Sequence, residues 1–399
     1  MYSTVKLDLL YVSFLNEDIR SGYKIKIHDQ CKSFQELGYT CFLLIVKVDC
    51  VCLYKFGKDR SEQVVERFSF PYKRRNVERN IIDEFYLFDF FCKSLRDVMD
   101  LYSPKLMYVR RIVPIMPKFL RLLDYAHSKS IYTIYEYPTY PWKKEMLNSR
   151  KYLFYLIDSF FYDSLLRRVD LVACYGKYEG RRKNFIELMN GVSVERFPLH
   201  VRSERNYISL IGVAHVSDIH GYDKLIRGLY LYYKSNPSRK VYFHIVGPVP
   251  SKLHLKELVS DLHLKDFVYF HGYTTGKALD DLFEEASIGV DCLALNRRDN
   301  GVCGSLKSRE YLARGIPFIF AGNLDFMMDS VTGNDFILRV PEEDDSVDIS
   351  KIVDFYMNMK SSPLEIRKYA KDNLSWNKIL QKIFDVYGRQ CPSDDRFTL

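Results

Sequence analysis

The stretch "SLKSREYLARGIPFI" (305–319) sets Lys307, Arg309 and Glu310 within about one helical turn and stops at Gly315 before an apolar run. It follows "SIGVDCLAL" (287–295), which reads as a buried strand, and the loop "NRRDNGVCG" (296–304). Ligands of open parallel sheets bind beyond the carboxyl ends of strands. A helix start there offers free N–H groups and positive partial charge, which suits a phosphate. Gly301 and Gly304 allow close backbone approach, and Arg297, Arg298 and Lys307 add full charges. Lys307 and Glu310 are three apart and share a helix face. A cation for a phosphate beside a carboxylate for a sugar diol is one way to grip a nucleotide. A simple ion pair on a solvated face accounts for the same spacing.

Fixed donors and cations can stabilise a departing diphosphate in place of a metal. A DxD pair at a strand end is not found. Asp280 and Asp281 fall inside a helical stretch, and "EEDDSVD" (342–348) reads as a solvated charge run. Metal independence is therefore expected, with no cofactor. The nine cysteines are odd in number, form no pair of CxxC units and lie mostly in apolar runs, as reduced structural thiols do.

The elements that must position these residues alternate strand and helix. Apolar runs at 7–15, 41–47, 105–111, 131–137 and 170–175 form one series. Those at 207–213, 241–247, 267–272, 287–295 and 316–320 form a second. Helical stretches intervene, such as 24–37, 221–234 and 276–286. Short continuous apolar strands alternating with helices indicate parallel sheets covered on both faces. The expectation is an α/β chain of two doubly wound, Rossmann-like domains facing a cleft. The first spans 1–195, the second 206–375, and a helix and tail over 376–399 return to the first. A polar, proline-bearing linker falls near 194–206.

At 399 residues the chain exceeds what one hydrophobic core usually serves. Apolar residues at 47% and charged residues at 28% are ordinary for a globular protein, and a net charge of +8 favours anionic partners. No recognisable DNA- or RNA-binding module accompanies that charge, so no nucleic acid is expected. The start "MYSTVKLDLLYVSFL" lacks a basic leader and reads as a first strand, and no window of about 18 uncharged apolar residues occurs. A cytoplasmic location is expected. Two aromatic stretches carry cations: "IIDEFYLFDFF" (81–91) after "PYKRRNVERN" (71–80), and "KYLFYLIDSFFYDSLLRR" (151–168). Such composition suits core helices, and it also suits the inner face of a cell membrane.

With these residues in view, the chain resembles the GT-B glycosyltransferases, especially family 4 enzymes of bacterial capsule and exopolysaccharide assembly. "SLKSREYLARGIPFI" resembles their nucleotide-sugar signature, and "NGVSVERFPL" (190–199) the segment that ends their first domain. "GVAHVSDIHGYDKLIRGL" (212–229) resembles the opening of their second domain, and "VYFHIVGP" with "KDFVYFHGY" its next two strands. "IYEYPTYPWKKE" (134–145) looks like an acceptor-domain segment. The resemblance implies transfer of a sugar, with retention, from a nucleotide sugar to a saccharide or lipid-linked acceptor.

Residue by residue, the resemblance implies that Glu310 accepts from the donor ribose, and that Lys307 and Arg297 neutralise the diphosphate with N–H groups near Ser305. It puts Tyr273 at the nucleobase and Gly22 in the first strand–helix loop. Glu136 falls where many relatives hold a histidine near the reacting sugar. Three departures stand out: Val302 replaces the first of two glutamates eight apart, His215 and His220 replace an arginine and a lysine, and the histidine is missing. Val302, His215 and His220 keep open a non-catalytic nucleotide-sugar-binding protein, and the shared fold keeps open a GT-B nucleotide-sugar epimerase, for which Glu136 is the candidate acid/base carboxylate.

Overall fold

Strands apolar on both faces need cover on both faces, and this chain meets that need with two largely parallel sheets. The structure is a computed structural model that describes residues 7–16, 22–59, 61–70, 81–143, 152–201, 205–297, 302–326 and 334–391. It divides into one unit of Met1–Leu188 with Ile379–Leu399 and another of Met189–Lys378. The boundary thus falls ahead of the expected linker. Val192 and Val194 are buried in the core of the second unit, and Arg367 donates to the carbonyls of Val194 and Phe197.

Among the described residues, the first unit's strands are β1 (Leu9–Asn16), β2 (Cys41–Val46), β3 (Cys50–Phe56), β4 (Glu62–Ser69), β5 (Leu106–Arg110), β6 (Tyr132–Tyr137), β7 (Leu171–Tyr175) and β8 (Phe185–Leu188). Their order is β4-β3-β2-β1-β5-β6-β7-β8. Its helices before residue 189 are α1 (Gly22–Glu36), α2 (Ile81–Tyr102), α3 (Pro117–Ser128) and α4 (Tyr152–Leu166). Strands β2, β5 and β7 are buried at every residue, as their unbroken apolar runs require. The antiparallel hairpin β3–β4 was not anticipated. Its outer strand is largely exposed, and Glu62, Glu66 and Arg67 blunt what would be an open sheet edge. Register sets up a polar cluster: Tyr11 lies beside Tyr108, and Arg110 beside Glu136, so these side chains share one sheet face. Phe384 closes the unit by stacking on Tyr39 at 3.7 Å.

In the second unit β9 (Tyr207–Val213), β10 (Lys240–Val246), β11 (Val268–Gly272), β12 (Ile288–Val290), β14 (Phe318–Phe320) and β16 (Ile337–Arg339) lie in the order β11-β10-β9-β12-β14-β16. All neighbours pair parallel. The short strands β13 (Val302–Cys303) and β15 (Asn323–Leu324) pair separately. Helices α5 (Tyr222–Lys234), α6 (Leu255–Asp261), α7 (Lys277–Glu285), α8 (Leu306–Arg314), α9 (Ile349–Asn358) and α10 (Pro363–Leu374) accompany them, and α11 (Trp376–Gln390) follows. Chain order reverses between β9 and β12, which makes their carboxyl ends the topological switch point.

The expected nine-residue strand at 287–295 pairs only over Ile288–Val290. After Val290 the backbone finds other partners. The N–H of Cys292 donates to Asp291 Oδ1 at 2.8 Å, and the N–H groups of Leu293 and Ala294 donate to the carbonyls of His220 and Ile219 at 3.1 Å. The loops after β9 and β12 are thereby tied together. Gly221 permits this approach: its φ is +61°, and a Cβ there would lie 3.0 Å from the Leu293 backbone.

Candidate functional site

Helix α8 starts where its sequence says it should. Ser305 caps it, accepting from the N–H of Lys307 at 3.1 Å, and Gly315 ends it in the left-handed conformation. Lys307 reaches back from the first turn and places Nζ 3.2 Å from Asp291 Oδ1. Asp291 is fully buried at the end of β12, and its Oδ2 has no hydrogen-bond partner. Burial pushes this carboxyl up, but Lys307, Ser305 and the Cys292 amide outweigh it and hold the group below the ordinary carboxylate value.

The pairing of Lys307 with Glu310 suggested by their spacing does not form. Glu310 is taken by Arg314, one turn further on, whose Nε and Nη2 donate to Oε1 at 3.0 and 2.9 Å. Arg314 also meets Asp280 at 2.7 Å and lies 4.0 Å from the centre of the Phe283 ring. Burial raises the Glu310 carboxyl above its usual range, and Arg314 offsets this only in part. Arg309 is no surface cation either. It is fully buried, its Nη2 bonds both oxygens of Asp325 at 2.6 and 2.7 Å, and its other nitrogens donate to the carbonyls of Asn190 and Ser305.

On the β9 side, Ser217 to His220 form a tight turn. The Ser217 N–H donates to His220 Nδ1 at 2.9 Å, so a neutral ring carries its proton on Nε2. Gly221 N-caps α5. Arg297 departs from expectation: it grips Asp223 in a two-pronged pair at 2.9 Å per bond and also donates to the Asp218 carbonyl. The hydrogen bonds and charge of Asp223 raise the pKa of the Arg297 guanidinium and commit Arg297 to the start of α5. Arg297, Asp223, Ser217, Lys252 and His254 line a groove of about 350 Å³. Tyr273, just past β11, is 70% exposed. Ser305, Lys307 and His220 therefore gather at the switch point. Glu310 lies one turn along α8, and Tyr273 beyond a neighbouring strand. Arg298 and Gly301 lie outside the described residues.

In the first unit, Glu136 ends up enclosed. Its Oε1 accepts from Arg110 at 2.8 Å and lies 3.6 Å from Lys26 Nζ. Its Oε2 accepts from Tyr108 and Gln30 at 2.8 and 3.2 Å, and the Tyr11 hydroxyl, which donates to Gln30 Oε1 at 2.8 Å, lies 3.3 Å away. It is fully buried. Burial pushes this carboxyl up, yet Lys26 and Arg110 win and hold it below its ordinary value. A carboxylate so saturated with donors is a poor proton acceptor, which counts against the catalytic role expected of it. Gly22 is the first residue of α1, and the loop before it lies outside the described residues.

No protein-family model matches the chain, and no curated protein sequence matches it. Solved structures do. Sucrose-phosphate synthase of Thermosynechococcus elongatus superposes with a TM-score of 0.63 at 12% identity, over 98% of this chain and 100% of that one. A glycosyltransferase of Rickettsia africae gives 0.62 at 14%, over 96% and 98%. The Anabaena protein HepE in complex with UDP gives 0.60 at 11%, over 96% and 100%. The fold is GT-B.

Against this GT-B frame, sequence reasoning missed Asp291, Asp223, Lys224 and Arg314. Asp291 carried a signal, being the one charge inside "SIGVDCLAL". Lys224 is buried and donates to the carbonyls of Leu293 and Glu342, so burial lowers its pKa. The acids of the run 342–348 are solvated as expected, with Glu343, Asp344, Asp345 and Asp348 exposed, while Glu342 accepts from the Asn296 N–H and Asp348 also caps α9. Among the described residues no group of three or more His, Cys, Asp or Glu is placed to hold a metal ion. No helix among the described residues is long and apolar enough to cross a membrane.

Proposed function

We propose that this GT-B chain is a glycosyltransferase that binds a nucleotide sugar in its second unit and passes the sugar to a saccharide or lipid-linked saccharide acceptor. The observation that carries the reading is the cluster at the β9/β12 switch point, where Lys307 at the start of α8 meets Asp291 and the loop after Asp291 is tied to the backbone carbonyls of Ile219 and His220. When the bond from the sugar to the diphosphate breaks, the electron pair stays on the phosphate oxygen. Backbone N–H groups, the Lys307 ammonium and the Nε2–H of His220 are fixed donors that stabilise that charge. Asp291 orients Lys307 and moderates its charge until a phosphate arrives. Glu310 takes the ribose and Tyr273 the base in the same reading. Structural neighbours lend support through their own ligands: HepE was solved with UDP-glucose, starch synthase IV of Arabidopsis thaliana with ADP and acarbose, and the pneumococcal O-GlcNAc transferase GtfA with UDP and GlcNAc.

The motif resemblance adds the finer parts of the proposal. These are family 4, hexosyl or related transfer with retention, metal independence, and a role in surface polysaccharide synthesis at the cytoplasmic face of the membrane. One observation favours a second reading, a non-catalytic nucleotide-sugar-binding protein: Glu136 is enclosed by five polar side chains and is unsuited to proton transfer. The same enclosure speaks against an epimerase, which needs acid/base carboxylates.

The test is thermal stabilisation by UDP, GDP, ADP and CMP, followed by hydrolysis of the matching nucleotide sugar. One nucleotide stabilising the protein and its sugar being turned over is the expected result. Binding without turnover selects the second reading, and no stabilisation by any of the four overturns both. Glu310→Gln refines the site. Gln offers one acceptor oxygen where the carboxylate offers two, so calorimetric affinity for the nucleoside diphosphate should fall by about 1–3 kcal/mol. Equal affinities would remove Glu310 from the ribose.

A further inference from the structure

Helix α4 carries an exposed ridge. Tyr152, Leu153, Leu156 and Phe160 are all exposed, Phe160 to 80%. At 3.6 residues per turn they fall within about 100° of arc, and Asp163, also exposed, falls within the same arc. The rest of the helix faces inward. Asp158 accepts from Arg111 and from the Ile115 N–H, and Leu165 and Leu166 lie in the first unit's core. Burial of one face thus fixes the orientation of α4 and leaves an apolar ridge in water.

A basic loop adjoins this ridge. Residues 177–183, "KYEGRRK", bring Lys177, Arg181, Arg182 and Lys183 against the single carboxylate Glu179, and all five are exposed. Arg182 Nη2 donates to Asp163 Oδ1 at 2.7 Å, which ties the loop to the end of the ridge and neutralises the one acid on it. Arg167, just past the helix, is exposed as well. The surface is therefore an aromatic and aliphatic ridge continued by cations.

We propose that the α4 ridge and the 177–183 loop form a docking face for an anionic lipid surface. Tyr and Phe suit the headgroup boundary, Leu153 and Leu156 suit the acyl layer beneath it, and Lys and Arg suit anionic headgroups. A second copy of the chain fits less well. A two-fold contact would set the cationic loop against its own copy or against the apolar ridge. The inference does not depend on the proposed glycosyl transfer.

The test is co-sedimentation of the full chain with vesicles of phosphatidylcholine alone and of phosphatidylcholine with phosphatidylglycerol. Binding should require the anionic lipid. It should be lost as salt rises from about 0.1 M to about 1 M, which shortens the screening length from roughly 10 Å to roughly 3 Å. Arg181→Glu with Lys183→Glu should weaken binding by at least about tenfold. Leu156→Ser with Phe160→Ser should do the same, and since both side chains are exposed, melting temperature should hold. Nucleoside diphosphate affinity measured on the same variants should be unchanged, which separates this result from the catalytic reading. Absence of wild-type binding at low salt overturns the proposal. So does binding that both double variants retain, or a wild-type dimer in sedimentation that the Leu156/Phe160 variant dissociates.

Discussion

Lys307→Ala should do more than remove a phosphate ligand. The lysine is 17% exposed, and its partner Asp291 is fully buried with one oxygen already lacking a hydrogen bond. Removing one member of a buried ion pair costs about 3–5 kcal/mol. Asp291 keeps the Cys292 N–H at 2.8 Å, which favours the lower end, about 3 kcal/mol. For a unit this size that is a fall of about 6–12 °C in melting temperature. The sign of the pH dependence is diagnostic. In the native chain the Asp291 carboxyl is held below its unfolded value of about 3.9. Its contribution is thus present above that pH and lost as pH falls through the folded value. Without Lys307 burial dominates and the folded value rises above the unfolded one. The variant should then regain stability as pH falls from about 7 to about 5. Calorimetric melting of both proteins at the two pH values reads this directly. Asp291→Asn in the Lys307→Ala background should restore most of the loss, since an uncharged amide tolerates the site. Nucleotide-sugar turnover should stay reduced by roughly 10²–10³ in that double variant if Lys307 also stabilises the departing diphosphate. A Lys307→Ala protein within about 0.5 kcal/mol of the parent, or with an unaltered pH profile, would refute the pairing argument.

Arg309→Met leaves Asp325 without its buried guanidinium and removes a donor from the Asn190 and Ser305 carbonyls, so the second unit should lose about 3–5 kcal/mol in urea unfolding while the first unit's transition stays in place. Glu136→Gln leaves the buried Arg110 without its carboxylate partner and should destabilise the first unit by a similar amount. The parent's Glu136 contribution is present above about pH 4.3 and is lost as pH falls through its lower folded value, and the Gln variant should show no such loss. Transfer or hydrolysis activity should persist in excess chelator, and a rate that collapses and returns with magnesium or manganese would contradict metal independence.

Elements legible in the sequence were those whose signals are local. Continuous apolar runs at 41–46, 106–110 and 171–175 became buried parallel strands because such runs need cover on both faces. Ser305 and Gly315 bounded α8 because a hydroxyl and a missing Cβ satisfy helix ends without outside help. Strand β4 escaped notice because "EQVVERFS" is largely exposed and an edge strand has no need of an apolar pattern, whereas the buried run "CVCLYKF" of β3 carried a legible signal that was passed over.

What the sequence by itself determined was the alternation of elements, and with it the two sheets and the place where a ligand would meet helix α8. Tertiary structure alone decided which charge answers which. Lys307, Arg309 and Glu310 sit in one turn, yet their partners are Asp291, Asp325 and Arg314, two of them brought in from neighbouring strand ends. Helical spacing allowed Lys307 or Arg314 to pair with Glu310. Asp291 resolved the competition, because an unpaired carboxylate fully buried at a strand end costs more than one 23% exposed on a helix that Arg314 can also serve. Glu136 makes the same point, since adjacent strand registers surround it with donors that lie far apart along the chain.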